Sequence, residues 1–513
     1  MHTRHTFEPA DIQALARVGH GHLPESCFLV LSISDPVKAG IWIQQTTFSS
    51  AALEKPLPDS ATQIAFTACG LRKLGLADDT LQQFSDEFLQ GMSGNDSRSR
   101  QLGDVGRNAP DNWGWGHHDR AQVHVLLLLY ARAGCIDSLL QSVDDALFKQ
   151  AFSVLHRLPT DTLKEREPFG FVDGISQPTI DWQQDQRTDV HARAAFSNLL
   201  APGEIVLGHK NEYGQLTRRA LLPDNHPQNS KALPFAHEAR QHRDLGGNGS
   251  YLIIRQLEQD VGGFWRFMLE QREEDLPAAE ALAAAMVGRQ RNGEPLVPTS
   301  DRQIPGIPES RHRNHFDYAD DADGRQCPVG AHVRRSNPRT GDFPPGVESL
   351  LSRIIRMLGF KRRTEYEDLI ASTRFHRIVR RGRTYGGAIR EPEEAIQATS
   401  EARAAQGLQF ICLAANISRQ FEFIQAAWLN SSAFAGTREQ RDPLLGHRRP
   451  RLDGSATHRF MQTRSVGPRE KTHALPEFVT VRGGGYFFMP GLLAIRYLGD
   501  LASGSLPDAE EST

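Results

Sequence analysis

The chain has 513 residues, of which 39% are hydrophobic and 24% charged, with 59 basic against 62 acidic side chains and a formal net charge of −3. That composition fits a globular protein and excludes a disordered or fibrous one. Its near-balanced charge leaves no electrostatic footprint for nucleic acid or an anionic membrane. The length corresponds to roughly two to four domains' worth of chain.

In chain order, strands and helices alternate without the regularity of a doubly wound sheet. Cys27 to Ser34 reads as a strand and Thr62 to Thr67 as another, with helical character from Leu71. Val123 to Tyr130 is a strong strand, Ile136 to Leu147 an amphipathic helix, and Phe152 to Leu158 a further strand. The second half repeats this grammar. Tyr251 to Leu257 is a strand and Val261 to Leu269 begins a helix. A helix is predicted over Val347 to Leu358, and His376 to Arg383 alternates like an edge strand. Leu408 to Ala414 is a strand, and Ser418 to Trp428 a helix with Phe421, Ile424 and Trp428 on one face. Gly485 to Phe488 and Leu492 to Leu501 supply a last strand and helix. Two similar halves of this kind suit an α+β fold, antiparallel sheets covered by helices. The boundary is expected in the polar stretch from Asp185 to Gly249, and a second long irregular stretch runs from Arg289 to Pro345.

The five cysteines, at 27, 69, 135, 327 and 412, are scattered and form no Cys-x-x-Cys pair, which argues for free thiols in a reducing compartment. The N-terminus lacks an apolar signal core, and no stretch approaches the ~18 apolar residues of a membrane span. A cytoplasmic protein without membrane or nucleic-acid partners is expected.

Three segments hold the residue types that chemistry needs. In Glu167 to Pro178, glycines at 170 and 174 bracket Asp173 among Phe169, Phe171, Val172 and Ile175. Glycine allows close backbone approach, and an apolar setting is expected to push the aspartate pKa up, unless this is an ordinary turn. In Cys327 to Arg339, His332 sits among small residues, and Arg334, Arg335 and Arg339 follow. Small residues leave room for a planar ligand, and arginines suit its carboxylates. In Phe375 to Gly386, an arginine on a strand beside Ile378 and Val379 either enters a pocket or lies on a solvated edge. The run Gly19-His20-Gly21-His22 reads as a polar loop rather than a metal site, and the segment from His315 to Gly324 departs from an EF-hand at Ala319.

In this order, these segments resemble the dye-decolorizing peroxidases. Gly170-x-x-Asp173-Gly174 matches the family signature, Ala331-His332-Val333-Arg334 with Asn337-Pro338-Arg339 is similar to its haem-ligand segment, and Arg380-Arg381-Gly382 to its distal-arginine segment. Trp115 to Asp119, Leu207 to Gly214 and Gly483 to Gly491 are similar as well, so the resemblance spans most of the chain. Its length resembles the larger subgroup. The resemblance implies duplicated ferredoxin-like domains, assigned to residues 1–215 with the glycine–aspartate motif and 216–513 with the histidine and arginine.

It also implies haem b, with His332 as the iron ligand, Asp173 as the distal acid–base residue and Arg380 as the distal arginine. The connection from 340 to 374 is longer than in compact members, so Arg377 and Arg381 compete with Arg380. Strand alternation would set Arg380 opposite both. Gly174, Ile175, Ser176, Asn337, Pro338 and Arg339 would contact the cofactor, and Leu408 and Phe410 would form an apolar distal wall. The implied activity is reduction of hydrogen peroxide with one-electron donors such as dyes and phenolics. Asp173 would move the proton and Arg380 stabilise the developing charge. Glu422 is one candidate to accept from the second ring nitrogen of His332. Trp113, Trp115 and Trp182 are candidate electron relays. A haem-binding protein for storage, iron release or sensing is the alternative, as is a non-haem binding protein. A homodimer or larger homo-oligomer is left open.

Overall fold

Residues 125 to 131 read Val-Leu-Leu-Leu-Leu-Tyr-Ala, and every one of them is buried. A strand apolar at each position must be covered on both faces. Val125, Leu127 and Leu129 pack into one hydrophobic cluster, whereas Leu126, Leu128 and Tyr130 pack into another on the opposite face. The computed structural model describes residues 8–52, 55–117, 122–163, 165–183, 198–299, 313–339, 373–387, 391–398, 405–450, 454, 457–463 and 468–505. The helix expected over Val347 to Leu358 lies outside the described residues.

In the first half, β1 (Glu25–Ile33), α1 (Pro36–Gln45), β2 (Ser60–Phe66), β3 (Val125–Ala131) and β4 (Phe152–Pro159) follow one another, with two helical segments, Ile136–Val143 and Ala146–Ala151, before β4. The second half has β5 (Ser250–Gln259), then α2 (Val261–Glu270), α3 (Leu276–Val287) and the short α4 (His332–Ser336). It continues with β6 (Val379–Arg380), β7 (Arg383–Tyr385), β8 (Gly407–Ala414), β9 (Val479–Met489) and α5 (Leu492–Ser503).

One nine-stranded sheet runs β6-β8-β5-β9-β2-β3-β1-β4, with β7 also on β8. Each block of four has the same order, second-third-first-fourth, with antiparallel pairing throughout. That is the ferredoxin-like arrangement twice over. The blocks join where Phe66 of β2 meets Phe488 of β9.

The sheet curls until its ends approach. Just past β4, Asp161 N–H donates to the Thr384 carbonyl of β7 at 2.8 Å. The inner face is filled from both halves, by Phe28, Val30, Leu126, Leu252, Ile411 and Phe487 among others. The outer face carries the helices, through Trp42 of α1, Phe264 of α2, Leu282 of α3 and Ile495 of α5. The expected α+β class is therefore present, but helices cover only one face of the sheet. The other face is closed by its own curvature and by irregular segments such as Ile12 to Ala16. Trp115 packs against β9 at Gly483, where a Cβ would stand 2.4 Å from the indole nitrogen, so only glycine fits.

Candidate functional site

The loop carrying Asp173 is held from several sides. Glu167 accepts the backbone N–H groups of Phe169 and Phe171, both at 3.0 Å, and Gln259 of β5 donates to it at 2.8 Å. Phe169 packs on Phe264, and Phe171 lies parallel to Trp265, both partners in α2. Gly170 and Gly174 have φ of +93° and +83°, a region that favours glycine. Gln177 caps the free edge of β6, accepting the Arg380 N–H and donating to the Arg380 carbonyl, each at 3.1 Å. Loop and arginine are thereby fixed together. Arg380 Nη1 donates to Asp173 Oδ1 at 2.8 Å.

Burial raises the Asp173 carboxyl pKa, but Arg380, the Gly174 N–H and the nearby His332 outweigh it, and the net result lies below the ordinary value. The sequence-based expectation of a raised value is corrected here. It weighed the apolar neighbours and missed the guanidinium.

His332 is the first residue of α4, and its Nδ1 lies 3.0 Å from Asp442 Oδ2. Asp442 is fully buried, and its other oxygen accepts the N–H groups of Leu444 and Leu445. Burial raises Asp442, yet His332, these hydrogen bonds and Arg335 bring it net below the usual range. An ionised Asp442 holds the proton on Nδ1 and leaves Nε2 unprotonated, with a lone pair able to coordinate. Glu422, the candidate named from sequence, instead pairs with Arg98 and Tyr486, each at 2.9 Å. Asp442 lies 110 residues beyond His332, and no spacing signal marks it.

A cavity of about 240 Å³ brings these groups together. His332, Asp173, Arg380, Ile175, Ser176 and Asn337 all line it. Leu408 and Phe410 line it as well, both on the β8 face beside the outer cluster. Gly174 lines a second cleft on the far side of the loop. Pro338 and Arg339 are buried outside the cavity wall. Arg339, at φ +58°, gives its guanidinium to the carbonyls of Asn314 and Phe316.

The other arginines of the histidine segment are spoken for too. Arg334 pairs with Asp321 at 3.0 Å, and Arg335 bonds the carbonyls of Trp428, Ser431 and Gln440. These arginines fix the histidine helix in place and do not enter the cavity, contrary to the sequence expectation that they would meet ligand carboxylates.

The cavity arginines come from elsewhere: Arg255, Arg289, Arg377 and Arg380. Arg377 lies before β6, so alternation did not govern it, and it donates to Asn337 and Asn198. Arg381 faces away, toward the Leu15 carbonyl. Trp113 and Trp115 are core residues bonded to the Asn108 carbonyl and to Gln256, and Trp182 is half-buried.

These residues fit a haem. The histidine has one nitrogen committed and one available, and the walls are largely apolar. Arg289 is buried and gives its hydrogen bonds to the carbonyls of Gly293 and Arg313 and to Ser176, with no carboxylate among these partners. The cavity-lining Arg255 is paired with the buried Asp104 and keeps only its Nε without a hydrogen bond among the described residues. A dicarboxylate macrocycle would satisfy such donors. Phe421, Ile424, Gln425 and Leu429 of the segment expected as an α-helix also line the cavity. That segment is wound as π-helix over Ser418–Glu422 and Ile424–Leu429, a form that often accompanies functional sites.

No protein-family model matches the chain. A dye-decolorizing peroxidase of Mycetinis scorodonius is 28% identical over 458 residues, covering 86% of this chain and 76% of that protein. A multifunctional dye peroxidase of an Amycolatopsis strain is 29% identical, over 75% of this chain and 72% of that protein. Among solved structures, a peroxidase of this type from an Anabaena species is similar with a TM-score of 0.66 at 23% identity, covering 95% of this chain and 94% of that one. A variant of the Auricularia auricula-judae decolorizing peroxidase gives 0.69 at 23% identity, over 97% of this chain and 100% of that one. The structural neighbours share the fold of this chain, and the sequence relatives to which it is similar are named as dye-decolorizing peroxidases.

Proposed function

We propose that this protein is a haem b peroxidase that reduces hydrogen peroxide with electrons from dyes, phenolics or other one-electron donors. The observation that carries the reading is the shared cavity: the Asp173–Arg380 pair reaches it, and so does His332, backed by Asp442. Bound haem would supply the redox-active iron and the conjugated ring that together hold the two oxidising equivalents taken from peroxide.

His332 would hold the iron through Nε2, and Arg289 and Arg377 would meet the propionates. Asp442 keeps the Nδ1 proton in place and makes the imidazole a stronger donor. Asp173 is ionised at neutral pH, because Arg380 holds its carboxyl low, so it is ready to take a proton from incoming peroxide. It returns that proton to the departing oxygen, which leaves as water. Arg380 orients the carboxylate and stabilises the negative charge that grows as the O–O bond breaks. A haem store has no use for an ionised acid–base residue braced by an arginine, so the pair favours turnover over storage. All five cysteines are unpaired, which suits a reducing cytoplasm. Among the described residues, no helix is long and apolar enough to cross a membrane.

The test is purification followed by absorbance and turnover. The reading expects a Soret band, peroxide-dependent oxidation of 2,6-dimethoxyphenol, and loss of both in His332→Ala. A haem-free protein, or a haem protein inert to peroxide, would overturn it.

A further inference from the structure

The inner face of the curled sheet holds two arginines that nothing so far has used. Along the β6–β7 edge, Arg380 points to the haem cavity, and Arg381 and Arg383 point the other way. Arg383 is buried, and its Nη2 donates to the carbonyls of Gly19, His20 and Leu23 at 3.0–3.2 Å. Arg381 is half-buried, lies against Gly19, and donates only to the carbonyls of Leu15 and Arg380. Neither guanidinium has a carboxylate partner among the described residues, and burial pulls both below the ordinary arginine pKa, Arg381 to about 10. Burying a charge without a counter-charge costs several kcal/mol even after relaxation.

Other groups beside them are equally unsatisfied. His20, 3% exposed and at φ +52°, has both ring nitrogens without a hydrogen bond. The Tyr130 hydroxyl and Arg383 Nη1 are buried and unpartnered as well. His20 stacks 4.7 Å from the Tyr130 ring, and the Arg383 guanidinium lies 5.5 Å from the same ring. Two positive charges and two further polar side chains without hydrogen bonds, His20 and Tyr130, thus surround one place. Such a place lacks an anion.

Of these groups, His20 and Arg381 line a cleft of about 1490 Å³, together with His22 and the apolar Val18, Phe48 and Leu57, while Arg383 and Tyr130 lie buried behind them. Val172, Asp173 and Ile175 line both this cleft and the haem cavity, so only the signature loop separates the two.

We propose that this cleft docks an aromatic donor bearing an acid group, with the carboxylate or sulfonate seated on Arg381 and the His20 ring, the buried Arg383 behind them adding its charge, and the donor's ring against the apolar wall beside the Asp173 loop. The role as donor site rests on the peroxidase reading; the binding itself does not. Gly19-His20-Gly21-His22, read from sequence as a polar loop, becomes the backbone frame around which both guanidiniums fold.

The test compares syringate with 2,6-dimethoxyphenol, the same phenol without the carboxylate. Binding to the resting protein is followed by calorimetry and by thermal shift, and KM by steady-state oxidation. Wild type should bind syringate more tightly than the neutral phenol. Arg381→Gln should weaken syringate binding and raise its KM about tenfold, leaving 2,6-dimethoxyphenol unchanged, and Arg381→Lys should recover part of the loss. Arg383→Gln, which removes a charge behind the seat and not a contact, should act in the same direction by a smaller factor. Equal losses for both phenols would mean a structural role only and would overturn the proposal. So would chloride or sulfate shifting the melting point as well as syringate does, which would mark a small-ion site. If syringate binds as described but neither phenol is oxidised, the docking site stands and the peroxidase reading fails.

Discussion

Replacing Asp442 by asparagine tests how the fold tunes its histidine. The side chain keeps its volume and one oxygen for the N–H groups of Leu444 and Leu445. What it loses is the negative charge 3.0 Å from His332 Nδ1, at a position with no solvent exposure. A hydrogen bond to a charged partner contributes about 1.5–3 kcal/mol. Removing the carboxylate behind a metal-bound histidine typically lowers metal affinity about 10–100-fold. The carboxylate favours the more positive ferric state. If the whole loss falls there, the one-electron potential rises by about 60–120 mV, at ~59 mV per tenfold. Spectroelectrochemical titration of the haem-loaded protein reads this shift, and haem transfer to apomyoglobin should accelerate alongside it. Glu422→Gln is the control, because Glu422 touches Arg98 and Tyr486 and not His332. An unchanged potential in Asp442→Asn, or an equal rise in Glu422→Gln, would refute the reasoning.

Three further outcomes follow from the same contacts. Arg335→Met should destabilise the protein by at least about 3 kcal/mol in denaturant titration, because three backbone carbonyls lose their donor; an unchanged midpoint would contradict this. Gly174→Ala should slow the peroxide reaction while haem stays bound, since φ is +83° but no atom lies within 4 Å of the added carbon; the cost is left-handed strain of about 1–2 kcal/mol, felt next to Asp173. Burial pushes the Glu167 carboxyl up to about 7 from an ordinary 4.5. Below 4.5 the group is protonated in both the folded and unfolded states, and from there up to about 7 the unfolded state alone sheds the proton. Wild type should therefore lose stability relative to Glu167→Gln as pH rises through that window, and parallel melting curves across it would refute the assignment.

Much of the fold was legible because strand burial writes itself into the sequence. The apolar runs at Val123 to Tyr130 and Tyr251 to Leu257 predict strands, and both strands are present with a neighbour on each side. The curl was not legible, because a contact such as Asp161 with Thr384 joins residues far apart in the chain. At the site, Asp173 and His332 stood out by their glycines and small neighbours. Asp442 and Arg289 did not, since Asp442 backs His332, and Arg289 reaches the cavity, from segments without a motif, whereas Arg377 was named only as a rival of Arg380 and lines the cavity beside it. Arg334, Arg335 and Arg339 misled for a related reason: an arginine beside a ligand histidine is as useful for holding the helix as for holding the ligand. The Asp173 pKa was misjudged because its partner, Arg380, lies 207 residues away.

The central claim is that Asp173 moves the peroxide proton at a haem held by His332. Stopped-flow mixing of the haem-loaded protein with hydrogen peroxide, followed in the Soret region, tests it most directly. Asp173→Asn should keep the resting Soret spectrum and lose at least about a hundredfold in the rate of the peroxide reaction, the usual share of general acid–base catalysis. A wild-type rate in Asp173→Asn would contradict the account.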